Sequence, residues 1–257
     1  MMKNFLRGCL VSAFLLTLIG FLLLPQPGQT EDAKVHRLLV AVDNNMWATT
    51  KHIDGRLIID NGRRVRELAM ESWMEGVTRS YSVYKSPARE RGTKMLKLDR
   101  KLWMYTPQTD RKILIAGHML RQSMMGSDLS YEDMMEDEKL SESYTGTIDG
   151  EEELDGVKVL VITLKARRKS KTYQILKIWA DPVRTVVLKE EAYAKSGKLL
   201  KTIEFKEFRL IGKRLFPKRM IFRDMLKNNT KTTYMFDEIE FGIKIPKKYF
   251  SLRVLKR

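Results

Sequence analysis

The stretch YTGTIDGEEELDGVKVLVITLKA, from Tyr144 to Ala166, reads as two strands laid back to back. Residues 144–152 and 157–166 carry β-branched and alternating character, and Asp155-Gly156 between them is the residue pair that tolerates positive φ in a tight hairpin turn. Strands joined by so short a turn can only be antiparallel. The same grammar extends in both directions. Candidate strands fall at 52–60, 65–76, 77–85, 93–99, 102–106 and 111–116 before this pair, and at 173–180, 184–194, 199–211, 215–223 and 231–241 after it. Asp60-Asn61-Gly62, Asp149-Gly150 and Ser196-Gly197 supply further hairpin turns. With no alternation of strand and helix to suggest a parallel sheet, the chain is mainly β: one long antiparallel meander.

Helices are few. Val35, Leu38, Leu39, Val42 and Met46 recur at helical spacing, so 34–47 is predicted as an amphipathic helix that lays one face on the sheet. A short acidic helix is expected over 130–137, where Ser130 and Asp133 are spaced as a capping box, and a loose turn around 118–125. So many strands with so little helix must roll up or leave an apolar face exposed. The predicted architecture is therefore an incomplete barrel, a curled sheet with a helical lid, and a cleft between the two that can serve as a ligand cavity.

The amino terminus has a secretory pattern: Lys3 and Arg7, the apolar run CLVSAFLLTLIGFLLL from Cys9 to Leu24, then PQPG at 25–28. The reading is a leader over 1–30, cut between Gly28 and Ala33, followed by a single β domain over 31–257. The alternative is an uncleaved segment that anchors the chain in the inner membrane. Cys9 opens the apolar run instead of following it and has Arg7 two residues before it, so it is not a lipidated cysteine, and the mature chain has none to form disulfides. The net charge is +16, or +14 without Lys3 and Arg7. In an exported protein that charge points to an anionic membrane surface rather than nucleic acid, for which no motif is present.

Catalytic signals are absent from the sequence pattern. His36, His52 and His118 stand apart, and no metal-ligand spacing, nucleophile elbow or phosphate loop occurs. The acidic runs at 132–138 and 151–155 lack the order of a calcium loop and read as solvated faces. No enzyme activity, metal or cofactor is expected. Methionine is the conspicuous residue, with 13 after the leader, clustered at Met119, Met124 and Met125 between Gly117 and Gly126. Its flexible, polarizable side chain suits a wall that adapts to variable apolar partners.

KMLKLDRKLWMYTP (94–107), QSMMGSDLSYEDM (122–134), the strand from Asp155 to Leu164 and the closing FDEIEFGIKIPKKYF (236–250) together resemble the LolA-like outer-membrane lipoprotein-sorting proteins. The resemblance spans nearly the whole mature chain. It implies an incomplete barrel of antiparallel strands whose apolar cavity holds lipid chains across a Gram-negative periplasm. It also implies lipoprotein or lipid acyl chains as cargo, with an inner-membrane transport complex and an outer-membrane acceptor as partners. The lack of a lipidated cysteine favours the soluble, monomeric carrier. The expected cavity lining is Trp73, Met95, Trp103, Tyr105, Met119, Met124 and Met125, with Arg121 and Asp128 at its mouth. Alternation puts Trp103 and Tyr105 on one sheet face and Leu102 and Met104 on the other, leaving open which face looks inward. Two further readings stand beside the carrier: an envelope module docking through its basic surface, and a hydrolase, which would need a clustered acid and base.

Overall fold

A computed structural model of the chain describes residues 27–136 and 138–256; the predicted leader lies outside the described residues up to position 26. All thirteen expected strands are present. They are β1 (Thr50–Asp60), β2 (Val65–Glu75), β3 (Arg79–Ser86), β4 (Lys94–Leu98), β5 (Lys101–Thr106), β6 (Arg111–Ile115), β7 (Tyr144–Leu154), β8 (Val157–Ala166), β9 (Ile175–Asp181), β10 (Val186–Tyr193), β11 (Leu199–Ile211), β12 (Arg214–Asp224) and β13 (Lys231–Phe241). They form one antiparallel sheet in the order β6-β5-β4-β3-β2-β1-β13-β12-β11-β10-β9-β8-β7. Every neighbour is consecutive in the chain except β1 and β13, which pair from Lys51↔Phe241 to Asp60↔Lys231. With β6 and β7 at its two edges, the sheet curls without closing, a LolA-like incomplete barrel.

Gly62, Gly156 and Gly197 adopt positive φ in their turns, as the residue types require. Asp149-Gly150 is not a turn. It lies inside β7, where the register with β8 slips between Ile148 and Gly150, so the expected hairpin is a bulge.

The long helix α1 (Pro27–Met46) starts earlier than its apolar periodicity indicated. It presses Val35, Leu38, Leu39 and Val42 into a core with Leu160, Ile162, Leu164 and Ile178. Gly146 makes that approach feasible, because a Cβ there would stand 2.7 Å from Val35 Cγ1 and 2.6 Å from Leu164 Cδ2. The short helix α2 (Tyr131–Met135) has the expected capping box between Ser130 and Asp133. The loose turn resolves into two 3₁₀ turns, Gly117–Arg121 and Met124–Gly126. One further helical turn, α3 (Leu140–Ser143), had no clear apolar period to announce it.

Register settles which face looks inward. Lys51 pairs with Met74, Met74 with Ser80, Ser80 with Lys97 and Lys97 with Leu102, all on the face that carries the lid. Leu102 and Met104 therefore point inward, and Trp103 and Tyr105 outward. The carboxy-terminal segment covers those outward aromatics: Leu255 is fully buried, and Tyr249 stacks on Trp73 at 4.5 Å between ring centroids.

Candidate functional site

A cavity of about 380 Å³ lies between the inner sheet face, α1 and the segment 129–140. Its sheet wall is aromatic: Phe205 and Phe208 from β11, Phe216 and Phe222 from β12, and Tyr234 and Phe236 from β13, joined by Ile53, Ile203 and Met220. Two irregularities aim these rings. Glu207 takes a left-handed conformation, and the β11–β12 ladder is interrupted there without a shift of register, so Phe205 and Phe208 both reach the cavity although three positions apart. On β1, Gly55 has no side chain where one would meet Tyr234 Cε2 at 2.8 Å, so the Tyr234 ring can lie across that strand.

The lid is pinned at several points. Asp43 of α1 accepts from the backbone N–H groups of Leu140 (3.0 Å) and Ser141 (2.9 Å). Lys97 Nζ donates to the carbonyls of Val77, Met135 and Glu136 at 3.0–3.2 Å, tying the end of α2 to β4. Asp133 accepts from Tyr173 Oη at 2.6 Å and pairs with Lys201, while Glu136 pairs with Lys171.

Apolar walls with a few buried charges perturb titration. Burial pushes the Glu190 carboxyl up to about 7, reinforced by the negative charges of Glu136 and Asp133 and opposed by Lys201. Burial likewise draws the Lys51 ammonium down to about 8, helped by Arg214. Lys51 donates to the Met46 carbonyl at 3.2 Å, at the carboxyl end of α1, where an ammonium satisfies helix carbonyls.

None of the nine residues expected at the pocket is on this wall. Trp73, Trp103 and Tyr105 lie on the outer face under the carboxy-terminal segment. Aromatic rings bury equally well on either face, and alternation gives parity without direction. Met95 and Met124 face inward but are fully packed with Leu68, Tyr84 and Tyr131, and Met119 and Met125 lean on the same cluster. The methionine loop thus fills its half of the barrel instead of rimming a pocket. Arg121 is exposed on the 3₁₀ turn. Asp128 is buried, accepting from Thr230 and Thr232 hydroxyls, and anchors the loop to β13. The aromatic run Tyr234-Met235-Phe236, with rings two apart, is the signal in the sequence for this cavity wall.

The outer face carries a separate constellation. His52 Nε2 is 3.1 Å from Glu71 Oε1 and 3.9 Å from Asp54 Oδ2, and its Nδ1 is 3.1 Å from Glu240 Oε2. Burial opposes protonation, but the hydrogen bonds to Glu240 and Glu71 outweigh it and raise the imidazole. Lys85 of β3 also pairs with Glu71, so the cluster is an ion-pair network across β13, β1, β2 and β3, assembled from positions far apart in sequence.

A family model described only as uncharacterized-protein-like matches residues 76–257. The chain belongs to that family. Its fold is shared with a DUF1329 family protein from Desulfovibrio piger, at 21% identity and a TM-score of 0.79, over 88% of this chain and 99% of that one. It is similarly close to a domain from Vibrio parahaemolyticus assigned to outer membrane lipoprotein sorting, at 20% identity and a TM-score of 0.75, over 89% and 99%. A LolA superfamily protein from Nitrosomonas europaea matches at 22% identity and a TM-score of 0.70, over 84% and 96%. No curated protein sequence matches. The LolA-like fold places the cavity where the curled sheet meets its lid. No helix among the described residues is long and apolar enough to cross a membrane.

Proposed function

We propose that the protein is an exported, periplasmic, monomeric carrier that shelters the acyl chains of a lipid or lipoprotein on the way to the outer membrane, without chemical change to its cargo. The observation that carries this reading is the aromatic cavity, walled by six rings and closed by a lid held through a small number of polar ties. Each buried CH₂ group contributes about 0.8 kcal/mol, so one ordinary chain supplies ample affinity without a covalent bond. Release then requires the lid to open or a competitor to take the chain. Native mass spectrometry of gently extracted protein is expected to find bound lipid or lipopeptide, and Ile203→Trp, which projects an indole into the cavity, is expected to lose it. Wild-type protein that is consistently empty and ignores fluorescent fatty acids would overturn the reading.

A second reading, an envelope module that docks through its basic surface on a membrane transport complex without lipid cargo, draws on one end of the sheet. There the exposed Val65, Met225 and Leu226 stand among Arg63, Arg64 and Lys227, on turns brought together by the pairing of Asp60 with both Val65 and Lys231. Salt-sensitive sedimentation with anionic vesicles, lost in Leu226→Asp from protein free of lipid, favours this alternative.

A further inference from the structure

The cavity is lined by five carboxylates, and four of them are engaged. Asp43 holds two backbone N–H groups, Asp133 holds Lys201 and Tyr173, Glu136 holds Lys171, and Glu138 takes the Ser143 hydroxyl and Arg168. Glu190 is the exception: no hydrogen bond or ion pair reaches its carboxyl among the described residues. Its place on β10 explains why. It sits opposite Ile203 of β11 and Ile178 of β9, so both flanks are apolar, and it faces the cavity beneath the lid.

The charged and titratable groups around it come from every element packed there. They are Asp133 and Glu136 from the lid, Lys201 from β11, Lys171 and Tyr173 from the loop before β9, and Tyr144 from β7. The two ammonium groups are already taken by Asp133 and Glu136. Beside Glu190, an added anion would meet carboxylates whose cations are engaged, whereas an added cation would meet one carboxylate without an ion pair; the cavity's other ammonium groups, Lys51 and Lys97, donate to backbone carbonyls elsewhere on its wall. Burial between apolar flanks disfavours the charged carboxylate, and with the carboxyl pushed up to about 7 Glu190 holds its proton through the acidic range and gives it up above that.

We propose that Glu190 is the seat of a cationic amino group, so that the cavity selects amphiphiles carrying an ammonium beside their alkyl or acyl chain. This rests on the carrier reading and adds the polar class of the cargo. The ligand's ammonium takes the position of the carboxyl proton, which leaves to solvent. No bond other than that O–H is broken. Below about pH 7 binding of such a ligand is therefore linked to release of that proton, and the preference grows as pH rises and less of the proton remains to be displaced. An alkylammonium stays charged to about pH 10, so its own titration does not interfere.

The test compares dodecylamine, dodecanol and dodecanoic acid as competitors against a neutral fluorescent probe, N-phenyl-1-naphthylamine, in the full chain and in Glu190→Gln. At about pH 8 the amine is expected to bind about tenfold tighter than the alcohol, and at about pH 5.5 the two are expected to converge. In Glu190→Gln the amine should lose that advantage while the alcohol binds as before, which shows that the variant folds and keeps its cavity. Amine and alcohol binding alike at about pH 8, a preference for the acid, or an amine preference that survives Glu190→Gln would each overturn the seat while leaving the carrier intact. Failure of all three compounds to displace the probe would overturn the carrier reading and the seat with it.

Discussion

The two halves of the inner face belong to one continuous sheet and are filled differently. Over β1 to β6 the methionine loop comes down on the sheet, and Met95, Met124, Leu68 and Tyr84 leave 2% or less of their surface exposed. Over β10 to β13 there is no such loop. Six aromatic rings stand on the sheet, α1 and the 129–140 segment bridge over them, and a cavity remains. Flexible unbranched side chains collapse into whatever volume is offered, whereas rigid rings fixed on a strand cannot fold down to fill it. The difference lies in placement and not in residue type alone: the loop of Met119, Met124 and Met125 closes one half, whereas in the other, where Met46, Met74, Met134 and Met220 also face the cavity, the rings leave space.

That contrast is most exposed to truncation. Met124→Ala is expected to cost about 2–5 kcal/mol, because the packed half cannot collapse around the deleted volume. Ile203→Ala, on the cavity wall, is expected to cost only about 1–2 kcal/mol, since one side of that chain already lacks contacts to lose. Urea denaturation of both variants checks the difference. Equal losses would mean that the open half is packed as tightly as the filled one.

A somewhat smaller effect follows from the charge hidden in the open half. Glu190 has its native pKa raised to about 7 from an ordinary 4.5, chiefly by burial. The folded protein therefore keeps a proton that the unfolded chain releases. Stability is expected to fall as pH rises from about 4.5 to about 7, by roughly 3 kcal/mol, and to level off above. Glu190→Gln should flatten that slope, measured by denaturation across the same pH window. A slope unchanged in the variant would show that other groups carry it.

How much of this was legible beforehand depends on the range of the interactions. Strand positions were, because alternation and turn residues such as Asp155-Gly156 act over a few neighbours, and all thirteen strands appear where local pattern puts them. The capping box at Ser130 and Asp133 was legible for the same reason. The site was not. Trp103 and Tyr105 were correctly placed on a common face, but the segment that covers that face lies more than a hundred residues downstream, at Tyr249 and Leu255. The ties of the lid join Asp43 to Leu140, Lys97 to Glu136 and Asp133 to Lys201, pairs that no periodicity connects. Glu190 carries no local signal in the sequence, since its isolation depends on which cations its neighbours have already taken.

The finest test adds volume instead of removing it. In a packed interior an extra ring forces off-rotamer side chains, so Leu68→Phe, at a position with no exposed surface, is expected to cost about 1–3 kcal/mol. Met220 fronts the cavity where clusters from both halves meet, and the space beside it can receive a larger side chain. Met220→Phe is therefore expected to change stability by no more than about 0.5 kcal/mol while reducing the amount of lipid that co-purifies. Thermal denaturation and native mass spectrometry on the same preparations separate the two effects. If Met220→Phe destabilises as much as Leu68→Phe, the open half has no room to spare and the distinction between the halves disappears. If it is neutral and lipid content is also unchanged, the space is real but the acyl chain lies elsewhere, nearer Phe216 and Phe236 at the α1 end.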